Sequence, residues 1–196
     1  MTQTLEKVDK KPCSPLEYLA QEVESELRHE YIQGEIVAMT GGKPNHNLIL
    51  GNLYAALNYA LKRKPYRAFV TDQRLWIPAR QMYVYPDVMV TAEPLQMQEG
   101  RKDTLVNPLI IAEVLSSSTR GYDCGDKFDA YRTIADFQEY LLIEQEQIGA
   151  RHYVRQGEHQ WLLTEYTGVT EVILLESIAF EISLADLYDK VDFTEV

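Results

Sequence analysis

Three features of the chain predict an α/β (α+β) fold, a mixed twisted sheet with helices packed on it. Apolar residues recur at helical spacing in the early and middle segments, at Leu16–Leu27 and Ile49–Leu61. Short runs rich in aromatic and β-branched residues lie between them and crowd the last third. One run, Leu109–Leu115, is apolar on both faces, the pattern of a central strand covered on two sides. Helices interleaved with strands place such a chain in a layered α/β or α+β class.

The elements follow in order. Residues 1–13 are polar and read as a flexible tail, without the apolar segment of a secretory signal. Residues 14–196 form one domain by length. Ser14 caps a first helix, Pro15 suits its first position and Glu17 completes a capping box. Leu16, Leu19, Ala20, Val23 and Leu27 give that helix its apolar stripe, and it fades near 28–30. Tyr31–Met39 reads as a strand kinked at Gly34. Asn45 caps a second helix over 46–63, with Ile49, Leu53, Leu57, Ala60 and Leu61 inward. Lys62, Arg63 and Lys64 suit the dipole of its last turn, and Pro65 stops it. Tyr66–Ile77, Met82–Val90 and Thr104–Leu115 are strands. Tyr122–Ala135 is a helix capped by Asp123. Strands near 139–144, 152–155, 160–166 and 171–175 and a short helix at 184–189 complete the chain.

Composition excludes several classes. The chain has 196 residues, 45% apolar and 25% charged, which rules out a disordered or collagen-like polymer. No apolar run is long enough to span a bilayer as a helix. Two cysteines, Cys13 and Cys124, supply neither a disulfide framework nor metal spacing, so the expectation is a reduced, cytoplasmic protein. The net charge of −11 is uneven. Residues 1–98 sum to zero, and 99–196 carry all of it. Between 36 and 86, seven basic residues face the one acid Asp72. That excess is either a solvated surface run or a face for a nucleic-acid backbone.

Two carboxylates sit where carboxylates are costly. Asp87 lies in Tyr83–Val90 (YVYPDVMV) and Glu113 in Leu109–Leu115 (LIIAEVL). An ionised carboxylate in an apolar strand is paired, hydrogen-bonded or bound to a cation. On neighbouring strands the two would meet and suit Mg²⁺ or Mn²⁺; otherwise each would pair with a buried Arg or a backbone amide. Lys127 flanks the inward face of its helix, beside Asp123, Ala130, Tyr131 and Ile134, where it either reaches a buried carboxylate or snorkels to solvent. His46, at a helix start, is either a phosphate contact or a structural histidine.

Pro86-Asp87, then Glu113-Val114-Leu115, resembles the PD-(D/E)xK nuclease core. The ordered series Arg28–Val37, Asn45-His46, Tyr85–Val90, Glu113–Thr119, Tyr122–Tyr131 and Gln138–Ile143 is similar to a widespread bacterial family of restriction-endonuclease-like proteins, first defined as a domain of unknown function. The resemblance covers about residues 14–190. It implies a restriction-endonuclease-like fold and a Mg²⁺ (or Mn²⁺) site at Asp87 and Glu113, with the Val114 carbonyl as third ligand. Glu30, matched to the family's first-helix glutamate, would complete the site through water. The motif's lysine belongs two residues after Glu113, where Leu115 stands, and Lys127 on the following helix matches it instead. The expectation is a metal-dependent DNA endonuclease with catalytic residues Asp87, Glu113, Lys127 and Glu30. Lys62, Arg63, Lys64, Arg74 and His46 would meet nucleic acid, and by analogy the chain would be a homodimer. Two rivals stand beside it: a catalytically silent interaction or regulatory module, and a nuclease for RNA or free nucleotides.

Overall fold

The computed structural model describes residues 12–39 and 41–194. Residues 1–11 of the expected tail lie outside them, while the Cys13 N–H is already bonded to the Gly34 carbonyl at 2.9 Å. Helix α1 (Pro15–Glu24) begins as predicted, with Ser14 and Glu17 exchanging capping-box hydrogen bonds. Its buried face shares only Leu19 with the expected stripe. Tyr18, Leu19 and Glu22 turn inward, whereas Leu16, Val23 and Leu27 are 80%, 62% and 65% exposed. Tyr18 packs on Tyr31 and Tyr83 and donates to the His29 carbonyl. A buried ring with a satisfied hydroxyl outweighs the smaller aliphatic stripe.

Strands β1 (His29–Ile32) and β2 (Glu35–Ala38) form a hairpin. Its turn needs positive φ at Gln33 and at Gly34, +49° and +104°. Helix α2 (Pro44–Ala60) starts two residues earlier than expected. Lys43 is the cap and Pro44 takes the first position, while the Asn45 amide donates to the Asp192 carbonyl. Ile49, Leu53 and Leu57 are its buried stripe. The helix stops at Ala60, so Lys62, Arg63 and Lys64 form the turn beyond it, with Arg63 at φ +63°.

Two expected strands each break in two. Tyr66–Ile77 becomes β3 (Tyr66–Val70) and β4 (Arg74–Ile77); Met82–Val90 becomes β5 (Met82–Val84) and β6 (Val88–Ala92). The second break falls at Tyr85-Pro86-Asp87, where proline has no N–H for a ladder. Asp87 thus lies between strands rather than inside one. Strands β7 (Thr104–Leu105) and β8 (Pro108–Leu115) follow. The expected helix over 122–135 is shorter and composite: α3 (Arg120–Tyr122), a π turn at Asp123–Lys127, then α4 (Phe128–Tyr131). The chain closes with β9 (Glu139–Glu144), β10 (Ala150–Gly157), β11 (Gln160–Tyr166), β12 (Val172–Leu175), β13 (Phe180–Ser183) and α5 (Leu184–Leu187).

A six-stranded mixed sheet has the order β11-β10-β9-β8-β6-β3, with β8 and β9 parallel. A five-stranded sheet runs β2-β1-β5-β4-β7, and β12-β13 form a separate hairpin. On one face of the large sheet, α2, α5 and the β12-β13 hairpin bury a core around Ile49, Leu53, Val114 and Ile173. On the other, α4 and the five-stranded sheet close over Met89, Ile111, Leu115 and Tyr140. Cys13 and Cys124 are free thiols. No helix among the described residues is long and apolar enough to cross a membrane.

Candidate active site

The two sheets meet at the Tyr85-Pro86-Asp87 link, and the charged side chains gather there. Val88 of β6 stands opposite Ala112 of β8, so Asp87 comes level with Glu113. Each carboxylate accepts from a backbone N–H of the other segment. The Asp87 N–H donates to Glu113 Oε2 at 3.1 Å, and the Val114 N–H donates to Asp87 Oδ2 at 2.8 Å. Glu113 is 3% exposed. Its other oxygen, Oε1, accepts from Tyr131 Oη at 2.8 Å and from Lys127 Nζ at 3.2 Å.

Lys127 is the hub. Its ammonium lies 3.2 Å from Glu113 Oε1, 3.2 Å from Asp123 Oδ1 and 3.3 Å from Glu30 Oε1. The π turn explains how a helical lysine comes to face inward. A π turn adds one residue to the helical circuit, and each residue rotates a side chain by about 100°. The turn carries Asp123 at its start and Lys127 at its end, so both point at β8. Glu30 arrives from β1, not from a helix as the family match implied. The buried glutamate of α1 is Glu22, which accepts from the His29 backbone and from Tyr85 Oη at 2.9 Å.

Burial sets the electrostatics. Desolvation pushes the Glu113 carboxyl up to about 8, against the Lys127 charge and with the repulsion of Asp87 and Asp123. Desolvation opposes the Lys127 charge, yet Glu113, Glu30 and Asp123 outweigh it and hold its pKa well above the ordinary value. The cluster therefore favours the charged form of Lys127. His46 Nε2 sits 3.2 Å from Asp87 Oδ2. Burial works against its protonated form, but the Asp87 hydrogen bond and charge prevail and raise its pKa.

These groups line one cavity of about 340 Å³, with Ser116–Thr119 and Lys43 around it. Two buried polar atoms in it, His46 Nδ1 and Tyr122 Oη, have no hydrogen-bond partner. Asp123, Tyr122 and Tyr131 are the site residues that the sequence reading passed over. Their signal was the Asp123/Lys127 and Lys127/Tyr131 spacing on a helix, which was read as capping and packing.

The basic residues part company. His46 reaches the cavity. Arg74 does not reach solvent: it is 5% exposed and bonded to Asp103, Thr104 and Tyr85 Oη. The expectation of a phosphate contact there is corrected, because Arg74 supplies the buried countercharge of Asp103. Lys62, Arg63 and Lys64 follow the far end of α2, about 24 Å along the axis from His46 at 1.5 Å per residue. Among the described residues no group of three or more His, Cys, Asp or Glu side chains has a geometry ready to hold a metal ion.

Comparisons agree with this architecture. Over 152 residues the chain is 45% identical to the protein sll1609 of Synechocystis, covering 78% of this chain and 86% of that protein. Over 182 residues it is 32% identical to slr1290 of the same organism, covering 92% and 93%. Both carry the name "Uncharacterized protein". The crystal structure of "a putative nuclease belonging to DUF820 from Anabaena variabilis" superposes with a TM-score of 0.74 at 19% identity, over 91% of this chain and 98% of that one. It shares the fold. Residues 15–186 match the family Uma2, described as "Putative restriction endonuclease". The chain belongs to the Uma2 family and has its restriction-endonuclease-like fold.

Proposed function

We propose that this chain is a cytoplasmic, divalent-metal-dependent endonuclease that hydrolyses phosphodiester bonds in DNA, working as a homodimer. One observation carries the reading. Three carboxylates, Glu113, Glu30 and Asp123, converge on one buried ammonium, with a fourth, Asp87, beside them, at a cavity that opens between the two sheets. Structural ion pairs balance; this cluster leaves an excess of negative charge that a divalent cation would offset.

The donors suit such a cation. Asp87 and Glu113 offer carboxylate oxygens and Val114 a carbonyl, the hard-oxygen set that Mg²⁺ or Mn²⁺ prefers. The Val114 carbonyl would be the third ligand. Bound there, the cation would polarise the phosphate and lower the pKa of an attacking water. The remaining chemistry belongs to the chain. Lys127 is charged, so it orients water or steadies developing phosphate charge and does not act as a base. Tyr131 and the Asp87 N–H hold Glu113 in place. Glu30 holds Lys127 from the second sheet. His46 fixes Asp87.

The acidic second half of the chain favours one rival, a silent interaction module keeping the nuclease fold. Plasmid and single-stranded DNA incubated with Mn²⁺ or Mg²⁺, beside the Asp87→Ala protein, separate the two. Cleavage by the parent and none by the variant is the expected result. No cleavage by the parent, with no Mn²⁺ binding by calorimetry, overturns the reading.

A further inference from the structure

We propose that β11 is the surface on which two copies of this chain associate, edge to edge and antiparallel, about a twofold axis passing Leu163. The strand ends the six-stranded sheet and is paired on one side only, with β10. It is seven residues long, and Leu162, Leu163, Thr164 and Glu165 are exposed in succession, the two leucines at 54% and 43%. It carries no Pro and no Lys, and the ladder irregularity lies at its far end, between Arg155 and Gly157 of β10. Long apolar edges without such devices are the ones that pair with another strand. The other open edges are shorter: β2 has four residues, and β3 has five, with Arg67 tied to Glu93.

The occupant that fits is a second β11. Antiparallel pairing centred on Leu163 sets Leu163 against the partner's Leu163 and Leu162 against the partner's Thr164, compatible cross-strand pairs. It also sets Trp161 against the partner's Glu165. That carboxylate has no ion pair or hydrogen bond within its own chain among the described residues. Arg155 stands opposite Trp161 on β10, with its guanidinium 4.9 Å from the indole ring and one amino group donating to the Arg132 and Ile134 carbonyls, which leaves its other N–H groups for a partner. The partner's Glu165 would then lie two strand spacings from Arg155, about 9.6 Å between backbones, a span that an Arg and a Glu bridge. The twofold makes this pair twice.

Such an axis stands normal to the sheet, so both copies present the same face. Glu113 aligns through Leu142 and Arg151 with Glu165. The two Glu113 clusters would then be seven strand spacings, or about 34 Å, apart across the joined sheet, and the twist of about 20–25° per strand turns their faces away from each other. The interface does not rest on the endonuclease reading.

Sedimentation equilibrium at micromolar concentration, without metal or nucleic acid, is the test. The parent should be a dimer, and Leu163→Lys should weaken association at least tenfold with unchanged circular dichroism. Leu163→Cys should give a disulfide-linked dimer on mild oxidation, while Val172→Cys, exposed on β12 at 49%, should not. A monomeric parent overturns the proposal. So does a dimer that survives Leu163→Lys but is lost in Val23→Lys, which would move the contact to the exposed stripe of α1. Because no DNA is present, failure here leaves the endonuclease reading standing, and loss of that reading leaves the interface standing.

Discussion

Lys127 holds together three carboxylates that would otherwise repel one another, and its removal should show this in a pH-dependent way. In Lys127→Met, Glu113 loses its counterion and its burial favours the neutral acid still more. A buried pair broken with the charge left in place costs about 3–5 kcal/mol. That cost should appear at pH 9 and shrink at pH 6, where Glu113 takes up a proton. Urea unfolding of parent and variant at the two pH values measures it. DNA cleavage by the variant should fall at least about a hundredfold, the scale of one lost electrostatic stabiliser. Equal cleavage by parent and variant would remove Lys127 from the chemistry.

At the scale of elements, α1 shows how a periodic stripe can mislead. Of the helically spaced Leu16, Leu19, Ala20, Val23 and Leu27 only Leu19 is buried, and it shares that face with Tyr18, which lies outside the stripe and packs on Tyr31 of β1 and Tyr83 of β5. Leu19→Ala should cost about 2–5 kcal/mol as a buried aliphatic deletion. Leu16→Ser and Val23→Ser should stay within about 0.5 kcal/mol, as exposed sites do. Thermal unfolding of the three variants distinguishes the faces directly. A second element-level contact joins β9, β10 and the turn after β12. Glu139 accepts from His152 Nε2 at 2.7 Å and from the Ser177 N–H at 2.6 Å. Burial works against the Glu139 charge, but these bonds prevail and lower its pKa below 4.5. A depressed carboxyl contributes stability that is present above its unfolded pKa and lost as pH falls through the folded one. Stability of the parent should thus drop between about pH 5 and 3, and Glu139→Gln should flatten that part of the profile, as urea midpoints across the range will show.

The whole molecule separates its basic surface from its candidate site. Lys62, Arg63 and Lys64 lie beyond the far end of α2, while the cavity beside its near end is lined by carboxylates. Changing the three to Glu should weaken duplex binding about equally for all sequences and lower the salt slope, since phosphate contacts position without specifying. Hydrolysis of a short ester that fills only the cavity should stay unchanged. Anisotropy in Ca²⁺ at two salt concentrations, beside the ester assay, checks both halves.

Local chemistry made much of this legible in the sequence alone. The capping box at Ser14, the α2 stripe, the double-faced apolar run of β8 and the family segments each depend on neighbours within a few residues, which a sequence displays. Asp87 and Glu113 drew notice for the same reason, as costly charges in apolar runs. What needed the tertiary structure was every choice between partners. Pro86 split one expected strand and sent its halves to two sheets, placing Asp87 at their junction. Arg74 turned inward because Asp103 was there to meet it, although its charge alone suggested a surface. Asp123 and Lys127 entered the cluster because a π turn rotated them, and that extra residue has no signature in hydrophobic period. Burial and pairing are properties of residues far apart in the chain, so the energies that decide them are defined only once the sheets have closed.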